Sequence, residues 1–432
     1  MTISRRGLLM AAGAMGAWGL AGCSAPGPAA TGGATGSGPT ELRFSWWGND
    51  SRHKLYRQAL DAYKTKHPNV AVTAEPTDWA GYWDRLATQT AGKAIPDVIQ
   101  QVDPYIIEYG SRGTLADLST YSSIIDLTQF AAPVLAASTV KDKVVGIPVG
   151  LQAPGIWANT KVFEQVGVPL PDDESWSWDD FSELTAQISG TTGQQVHGTS
   201  QLSLDEQTFT VFCRQRGQNI WGEGGLGFTP ETLTDWWGYV LRLMDTGASL
   251  NAQQSVEAQA QPMEQSPLVT GRTALSFGWA STIGLAEKAA GSPLKLLRMP
   301  GEAQTSTKGV YAKPSMHISV SATSRNGEEA ARLADYLINS PEVGEILLID
   351  RGIPASAAVL DAVMPHLSAT DQASVRYAER AAKEMTPFPV PPQGASALQT
   401  AFPRYTQDVL FKSKAPADAA RGLIDEVKAA LR

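Results

Sequence analysis

LRFSWWGNDS, residues 42–51, ends a strand-like run with two adjacent tryptophans, a glycine and two small polar residues. Its first four residues alternate apolar and polar side chains, which is the period-two pattern of a strand, and the residues after the tryptophans predict a turn. Alternation sends Trp46 and Trp47 to opposite faces, so both lie in a core only where the sheet is covered on both sides. The other interpretation places one indole at the mouth of a cleft, with Asn49 and Asp50 beside it.

The segments after this run alternate between helical and strand-like patterns. Residues 53–68 and 79–93 have the apolar spacing of helices, and residues 69–76 and 95–104 have the pattern of strands. Strands separated by helices predict α/β lobes, each with a mainly parallel sheet flanked by helices. The roughly 390 residues beyond position 40 exceed the usual size of a single hydrophobic core, so we expect two lobes.

The N-terminal residues have the pattern of an export signal. Residues 1–22 carry paired arginines and then a mostly apolar run that is shorter than the ~20 residues needed to span a bilayer. The sequence LAGC, ending at Cys23, resembles a lipoprotein box joined to a twin-arginine signal, which implies cleavage before Cys23 and lipid modification of its thiol. We therefore expect a lipid anchor on Cys23 and a flexible tether over residues 23–40. An ordinary secretory signal with an incidental cysteine is the alternative.

Composition argues against several classes of function. The net charge of −8 and the pI of 5.3, without a basic stripe, argue against a nucleic-acid partner. The histidines, at positions 53, 67, 197, 317 and 366, are scattered and lack ligand spacing, so we expect neither a metal nor a cofactor. With Cys23 lipid-modified, Cys213 has no disulfide partner, and its apolar context predicts a buried free thiol.

Seven segments spread over the chain carry a resemblance to a known family. They are WWGNDSRHKLYRQALDAYKTKHPNV (46–70), GKAIPDVIQ (92–100), YGSRGTLADLS (109–119), VVGIPVGLQAPGIWANTKVFEQVGVPLP (144–171), SWSWDDF (175–181), VTGRTALSFGWAS (269–281) and SVSATSRNGEEAARLADYLINSPEVGEILLIDRGIPA (319–355). In this order they make the chain similar to the extracellular solute-binding proteins of ABC importers, in the carbohydrate-binding group related to maltose-binding protein.

The resemblance implies a two-lobed periplasmic-binding-protein fold with the ligand in a cleft between the lobes. Lobe one is expected at residues 41–150 and 312–355, and lobe two at residues 151–311 and 356–432. The implied function is capture of a mono- or oligosaccharide outside the cell by lobe closure, and its delivery to the transmembrane subunits of an ABC permease. The resemblance further implies a monomer without catalytic residues, held at the outer face of the cytoplasmic membrane.

Sugar chemistry selects the candidate ligand-binding residues. Indole rings match the C–H faces of a pyranose, and carboxylates and carboxamides match its rim of hydroxyl groups. In α/β sheets, ligands bind beyond the carboxyl ends of strands, where several such residues fall. The candidates are Trp46, Trp47, Asn49, Asp50, Trp79, Asp103, Gln152, Trp221, Trp279, Ser281 and Arg351.

Several of these residue types have purely structural alternatives. Asp103 is also placed to cap a helix, Trp79 to pack at a helix start, and Arg351 to lie at a solvated helix end. Among the remaining tryptophans, we expect packing within lobe two for residues 157, 176 and 178, and a core or surface position inside a helix for residues 236 and 237.

Two other functions stay open from the sequence. A receptor for a peptide or polyamine would carry more charge and fewer aromatic residues in its cleft. A secreted glycosidase would need two carboxylates poised across a glycosidic bond. The acidic clusters at residues 172–174 and 179–180 are explained by solvation or helix capping instead.

Overall fold

The computed structural model describes residues 38–431 except Pro104, Gln201, Pro387, Phe388 and Val390. Residues 39–432 form one compact unit. The predicted signal peptide, Cys23 and most of the tether lie outside the described residues. In the part of the chain that is described, no helix is both long and apolar enough to cross a membrane.

The strands and helices alternate along the chain. The strands are β1 (Thr40–Trp47), β2 (Val70–Thr77), β3 (Val98–Gln101), β4 (Thr139–Val140), β5 (Lys143–Val144), β6 (Ile147–Pro148), β7 (Gly150–Gln152), β8 (Pro154–Asn159), β9 (His197–Thr199), β10 (Trp221–Gly222), β11 (Gly225–Leu226), β12 (Thr273–Trp279), β13 (Leu294–Leu297), β14 (Lys313–Pro314), β15 (His317–Val320) and β16 (Ile353–Pro354). The helices are α1 (Asp50–Lys66), α2 (Trp79–Ala91), α3 (Tyr105–Ser111), α4 (Ala132–Ala136), α5 (Thr160–Val166), α6 (Trp178–Thr191), α7 (Gln207–Gln215), α8 (Pro230–Asp245), α9 (Ala252–Gln259), α10 (Ile283–Ala290), α11 (Gly327–Asn339), α12 (Pro341–Leu347), α13 (Ala357–Val363), α14 (Ala369–Glu384), α15 (Ser396–Leu410) and α16 (Pro416–Ala430).

The first sheet has the strand order β2-β1-β3-β15-β6. Strand β1 pairs in parallel with β2 and β3, while β15 is antiparallel to both of its neighbours. Phe44 and Trp46 pack on one face of the sheet with α1 and α11, and Trp47 packs on the other face with α2 and α3. Both tryptophans are buried because helices cover both faces of this sheet.

The second sheet has the order β13-β8-β12-β9 and a separate core. Strand β8 is antiparallel to β12 and β13, and β9 pairs in parallel with β12. The expected α/β architecture is confirmed, but both sheets are mixed where mainly parallel pairing was expected. The reason is that each sheet includes a strand from a distant part of the chain that runs antiparallel to a neighbour. This strand is β15 beside β3 in the first sheet and β12 beside β8 in the second.

A third, three-stranded sheet joins the segments that run between the two larger sheets. Its order is β14-β7-β16, and both pairings are antiparallel. These strands lie close to the predicted lobe boundaries, after residues 150, 311 and 355. The lobe boundaries assigned from the sequence remain a prediction.

The second core contains most of the tryptophans that were expected to pack. Trp236 and Trp237 are fully buried within it, so the core interpretation is confirmed. Trp176 is buried in the same core, and the partly buried Trp178 packs against it. Cys213 is a buried free thiol, as predicted.

Gly278 offers a test of packing in the second sheet. A Cβ at this position would clash with the indole of Trp157 on the neighbouring strand β8. We predict that Gly278→Ala lowers the free energy of unfolding by about 1–3 kcal/mol, the usual cost of overpacking, as measured by urea denaturation.

Gly190→Ala in α6 is the matched control, since no atom lies within 4 Å of an added Cβ there. Replacing a glycine within a helix should raise the free energy of unfolding by about 0.5–1 kcal/mol. Equal effects of the two substitutions would contradict the packing described here.

Candidate functional site

The carboxyl end of β1 leads into an aromatic wall formed by Trp47, Trp79, Trp83 and Tyr105. The ring centroid of Trp47 lies 5.2 Å from that of Trp79 and 5.5 Å from that of Trp83. Trp83 stacks on Tyr105, with centroids 3.8 Å apart. Trp79 is 47% exposed and Trp47 only 7%. The wall therefore presents Trp79 to solvent and uses Trp47 to support it.

The three other predicted residues at this strand end are not part of the aromatic wall. Trp46 is fully buried between Phe44 and Tyr56 in the first core, so we leave it out of the candidate site. The side chain of Asn49 caps α1 by accepting a hydrogen bond from the backbone N–H of Arg52 at 3.0 Å. Asp50 is exposed in the first turn of α1, where a negative charge favours the helix.

The solvated helix end expected for Arg351 is wrong, because its side chain is buried. Its Nη2 donates a hydrogen bond to the carbonyl oxygen of Trp47 at 3.2 Å. The guanidinium carbon lies 5.9 Å from the ring centroid of Trp47 and 5.3 Å from that of Tyr56. Arg351 therefore holds the aromatic wall from within the first lobe.

A second group of candidates gathers where the second sheet meets the crossing segments. Trp279 ends β12, and Gln152 in β7 pairs with Lys313 in β14. The Nζ of Lys313 lies 5.6 Å from the ring centroid of Trp279, and the ring of Tyr311 lies 6.3 Å from it. Ser281 is buried in the turn that follows Trp279. Gln152, Trp279 and Lys313 are half-buried, so they form the accessible part of this group.

A small cavity of about 40 Å³ lies between Asp103, which follows β3 of the first sheet, and residues of the second core, such as Trp221 and Tyr311. Glu206 and Gln399 also line it, together with Lys313 of the crossing strand β14. The cavity brings together Asp103 and Trp221, two candidates far apart in the sequence.

Two carboxyl groups near this cavity have pKa values that are shifted in opposite directions. Burial by itself raises the pKa of the Asp103 carboxyl, but the hydrogen bond and charge of His317, with the charge of Lys313, lower it below its usual range. The Oδ1 of Asp103 lies 3.3 Å from Nε2 of His317. By contrast, burial and then the neighbouring Glu206 raise the pKa of Asp205 to about 7. Near neutral pH, Asp103 is therefore ionised and Asp205 is partly protonated.

Helix α15 reaches across to α3 beside this cavity. The side chain of Gln399 donates a hydrogen bond to the carbonyl oxygen of Asp103 at 3.1 Å. The hydroxyl of Ser396 donates to the carboxylate of Glu108. These contacts link helices that pack on different sheets, so the cleft is closed on this side.

A larger open groove of about 940 Å³ lies elsewhere, beside Trp178 and Tyr239. Arg216 and Arg242 also line it. Its walls come from α6, α7, α8 and α16, which all belong to the second core. We place the candidate site at the smaller cavity, because its lining combines Asp103 of the first lobe with aromatic and charged side chains such as Trp221 and Glu206 of the second.

The sequence analysis did not identify several residues of the aromatic wall and of the cavity. Trp83 lies one helical turn after Trp79, and this spacing on α2 was the signal that could have found it. Tyr105 follows directly from the Asp103-Pro104 pair. Glu206 and Lys313 had no signal of their own, because only the tertiary structure brings them together at the cavity.

Comparison with known proteins identifies the family. The model of the family described as bacterial extracellular solute-binding protein matches residues 58–373, which is most of the chain. The chain therefore belongs to this family of bacterial extracellular solute-binding proteins, and the resemblance found in the sequence is confirmed. Its fold is the two-lobed one of periplasmic solute-binding proteins.

Two curated relatives match parts of the chain. An uncharacterized lipoprotein of Streptomyces antibioticus is 28% identical over 40% of this chain and 37% of its own length. A lactose-binding protein of Rhizobium radiobacter is 22% identical over 43% of this chain and 44% of its own length. The matches thus span less than half the length of these relatives.

A solved structure supports the fold over nearly the whole chain. An oligogalacturonide-binding protein of Yersinia enterocolitica, in complex with saturated digalacturonic acid, has a TM-score of 0.78 at 24% identity. The match covers 91% of this chain and 100% of that one. At this identity the likeness establishes the fold and leaves the ligand open.

The raised pKa of Asp205 predicts a pH-dependent stability. Its pKa is 3.8 in the unfolded chain and about 7 in the folded protein, so between these values only the unfolded chain releases the proton. The contribution of Asp205 is therefore present at low pH and lost as the pH rises toward and past 7. We expect the free energy of unfolding, measured by urea denaturation, to fall between pH 4.5 and pH 7.5. This fall should be larger in the wild type than in Asp205→Asn by on the order of 2 kcal/mol. Identical pH profiles of the two proteins would contradict this assignment.

Proposed function

We propose that the protein is the substrate-binding component of an ABC importer and captures a mono- or oligosaccharide in the cleft between its lobes. The observation that carries this proposal is a cavity in which Asp103 of the first lobe meets aromatic and hydrogen-bonding side chains of the second. Family membership supports solute capture, and the names of the lactose- and oligogalacturonide-binding relatives favour a sugar.

The physical chemistry of the cleft suits a pyranose ring. The exposed face of Trp79 offers an apolar surface for ring C–H groups, and a second indole at Trp279 lies by the crossing segments. Such aromatic contacts contribute about 1–2 kcal/mol each. Asp103, Gln399 and Lys313 supply the donors and acceptors that sugar hydroxyl groups require.

We propose that capture proceeds by closure of the lobes about the three-stranded crossing sheet. The contacts of Gln399 with Asp103 and of Ser396 with Glu108 support this mechanism, because they join the lobes beside the cavity. A cavity of about 40 Å³ is too small to admit a sugar, so opening must precede binding. The ligand then shifts the equilibrium toward the closed form only to the extent that it binds this form more strongly than the open form.

The closed protein is proposed to act as a monomer that presents both lobes to a membrane permease. We further propose that the tether and a lipid on Cys23 hold it at the outer face of the cytoplasmic membrane. The relative in Streptomyces antibioticus that is named a lipoprotein supports this anchor. No bond of the solute is broken in this mechanism, since the protein only binds and releases it.

Trp79→Ala tests the aromatic wall. We predict that residues 39–432, titrated with a panel of mono- and oligosaccharides, bind one sugar saturably. The substitution should weaken that binding about tenfold, because removing the exposed indole costs about 1–2 kcal/mol of contact. Isothermal titration calorimetry measures the affinity, and small-angle scattering should show a smaller radius of gyration with sugar present.

Trp178→Ala is the matched control, since Trp178 lines the separate groove on the second lobe. It should leave the affinity within about twofold of the wild type. Loss of binding in Trp178→Ala alone would move the site to that groove. Binding only of peptides or polyamines, or recovery of a hydrolysed sugar, would favour the two alternative functions.

Cys23→Ala tests the anchor in the full-length chain. The wild type should fractionate with membranes and carry a lipid mass on its N-terminal peptide, because two or more acyl chains give stable anchoring. The variant should be recovered in the soluble extracytoplasmic fraction with its sugar affinity unchanged. Membrane association of Cys23→Ala would show that another segment anchors the protein.

A further inference from the structure

The guanidinium of Arg351 is buried in the first lobe with most of its hydrogen-bond donors unused. The residue is only 2% exposed. Its Nη2 donates to the carbonyl oxygen of Trp47, but neither Nε nor Nη1 has an acceptor among the residues that the structure describes. A guanidinium carries five N–H groups, and three of them are on these two nitrogens. Buried donors of this kind are ordinarily satisfied by protein, by water or by a bound group.

The positive charge of Arg351 also lacks a carboxylate partner. The adjacent Asp350 is paired elsewhere, because its Oδ2 accepts a hydrogen bond from Nε of Arg52 at 3.1 Å. In the part of the chain that the structure describes, Arg351 forms no ion pair within 4 Å. Burial lowers the pKa of Arg351, while the charges of Arg52 and Asp350 shift it in opposite directions. Because arginine stays protonated even when buried, these three side chains keep one net positive charge.

The side chains around Arg351 add donors to this cluster. The ring centroid of Tyr56 lies 5.3 Å from the guanidinium carbon, and the Tyr56 hydroxyl has no hydrogen-bond partner among the described residues. The ring of Trp46 lies 5.2 Å from that of Tyr56, and its indole N–H also lacks an acceptor there. A phenol oxygen is able to accept a hydrogen bond from a guanidinium, but it brings no negative charge. The charge of Arg351 therefore stays uncompensated within the protein.

A cavity of about 20 Å³ beside Arg351 has room for one small ion. Apart from Arg351, its described lining consists of glycines, a proline and aliphatic side chains such as Leu337, Leu347 and Val359. A cavity of about 10–15 Å³ is enough for one water-sized particle. A water molecule needs two to four polar partners, and the other side chains here offer none. A halide ion needs only donors and a positive charge, and Arg351 supplies both.

We infer that the cavity beside Arg351 binds a monovalent anion of the size of chloride. The anion accepts charge-assisted hydrogen bonds from Nε and Nη1 of Arg351 and neutralises its buried charge. The described residues that line the cavity between the lobes are all different from those that line this one. The anion site is therefore separate from the proposed saccharide site, and the inference does not depend on the proposed function.

The position of the site gives the anion a structural effect. Arg351 lies two residues before β16 of the crossing sheet, and its side chain bonds to the carbonyl oxygen of Trp47 at the end of β1. Gly352 and Pro354 also line the cavity. A bound anion would therefore stabilise the contact between the crossing sheet and the first lobe.

Bromide in crystals of residues 39–432 tests the site directly. Bromide occupies chloride sites, and its anomalous scattering distinguishes it from water. We expect an anomalous peak within hydrogen-bond distance of Nε and Nη1 of Arg351. Bromide bound only at the protein surface, or density at Arg351 without an anomalous signal, would overturn the inference.

Thermal denaturation of the same protein tests the site in solution. Unfolding is compared in sodium chloride and in sodium gluconate, whose anion is too large for the cavity, at equal ionic strength to hold charge screening constant. At about 0.2 M salt, the difference in Tm between chloride and gluconate should be about 2 °C more positive for the wild type than for Arg351→Met. Comparing the two proteins cancels the general effects of each salt.

Two further variants separate anion binding from damage to the fold. Val359→Ile adds a methyl group to the cavity wall and keeps Arg351, so it should remove both the bromide peak and the chloride effect. It decides the question if Arg351→Met does not fold. Arg57→Met removes an exposed cation of α1 and should behave as the wild type does. A chloride effect that is equal in the wild type and in Val359→Ile would overturn the inference.

Discussion

The close approach of two backbone segments in the crossing sheet is the constraint on which the site depends. A Cβ at Gly150 would lie 2.8 Å from the carbonyl carbon of Gly352, so a larger residue there would push β7 away from β16. Gly352 itself has a φ of +107°, a conformation that glycine adopts without strain. Strand β7 also pairs with β14, where Gln152 lies opposite Lys313, so the three crossing segments are held together at β7.

The lobes can therefore be described as two independent cores joined through a narrow hydrogen-bonded sheet. The first core buries Trp46 and the second buries Trp236 and Trp237, so each lobe is stable within itself. Beside the cavity the lobes are joined by polar contacts, such as that of Gln399 with the carbonyl oxygen of Asp103. A narrow joint and a polar interface are suited to hinge motion, because little apolar area is exposed when the lobes separate.

The sequence predicted those features that depend on local pattern. Alternation placed Trp46 and Trp47 on opposite faces, and the position at the end of β1 made both of them candidates for a strand-end site. Local pattern could not predict strand direction, since β15 reaches the first sheet from more than 200 residues along the chain. It also misjudged Arg351, whose burial behind Trp47 results from a tertiary contact between residues 304 positions apart.

A crystal structure of the protein with its saccharide, found by titration, tests the central claim most directly. Our account predicts one sugar ring against the exposed face of Trp79, with hydroxyl groups bonded to Asp103 from one lobe and to Glu206 from the other. A sugar seated in the groove beside Trp178, or bound by one lobe alone, would contradict it.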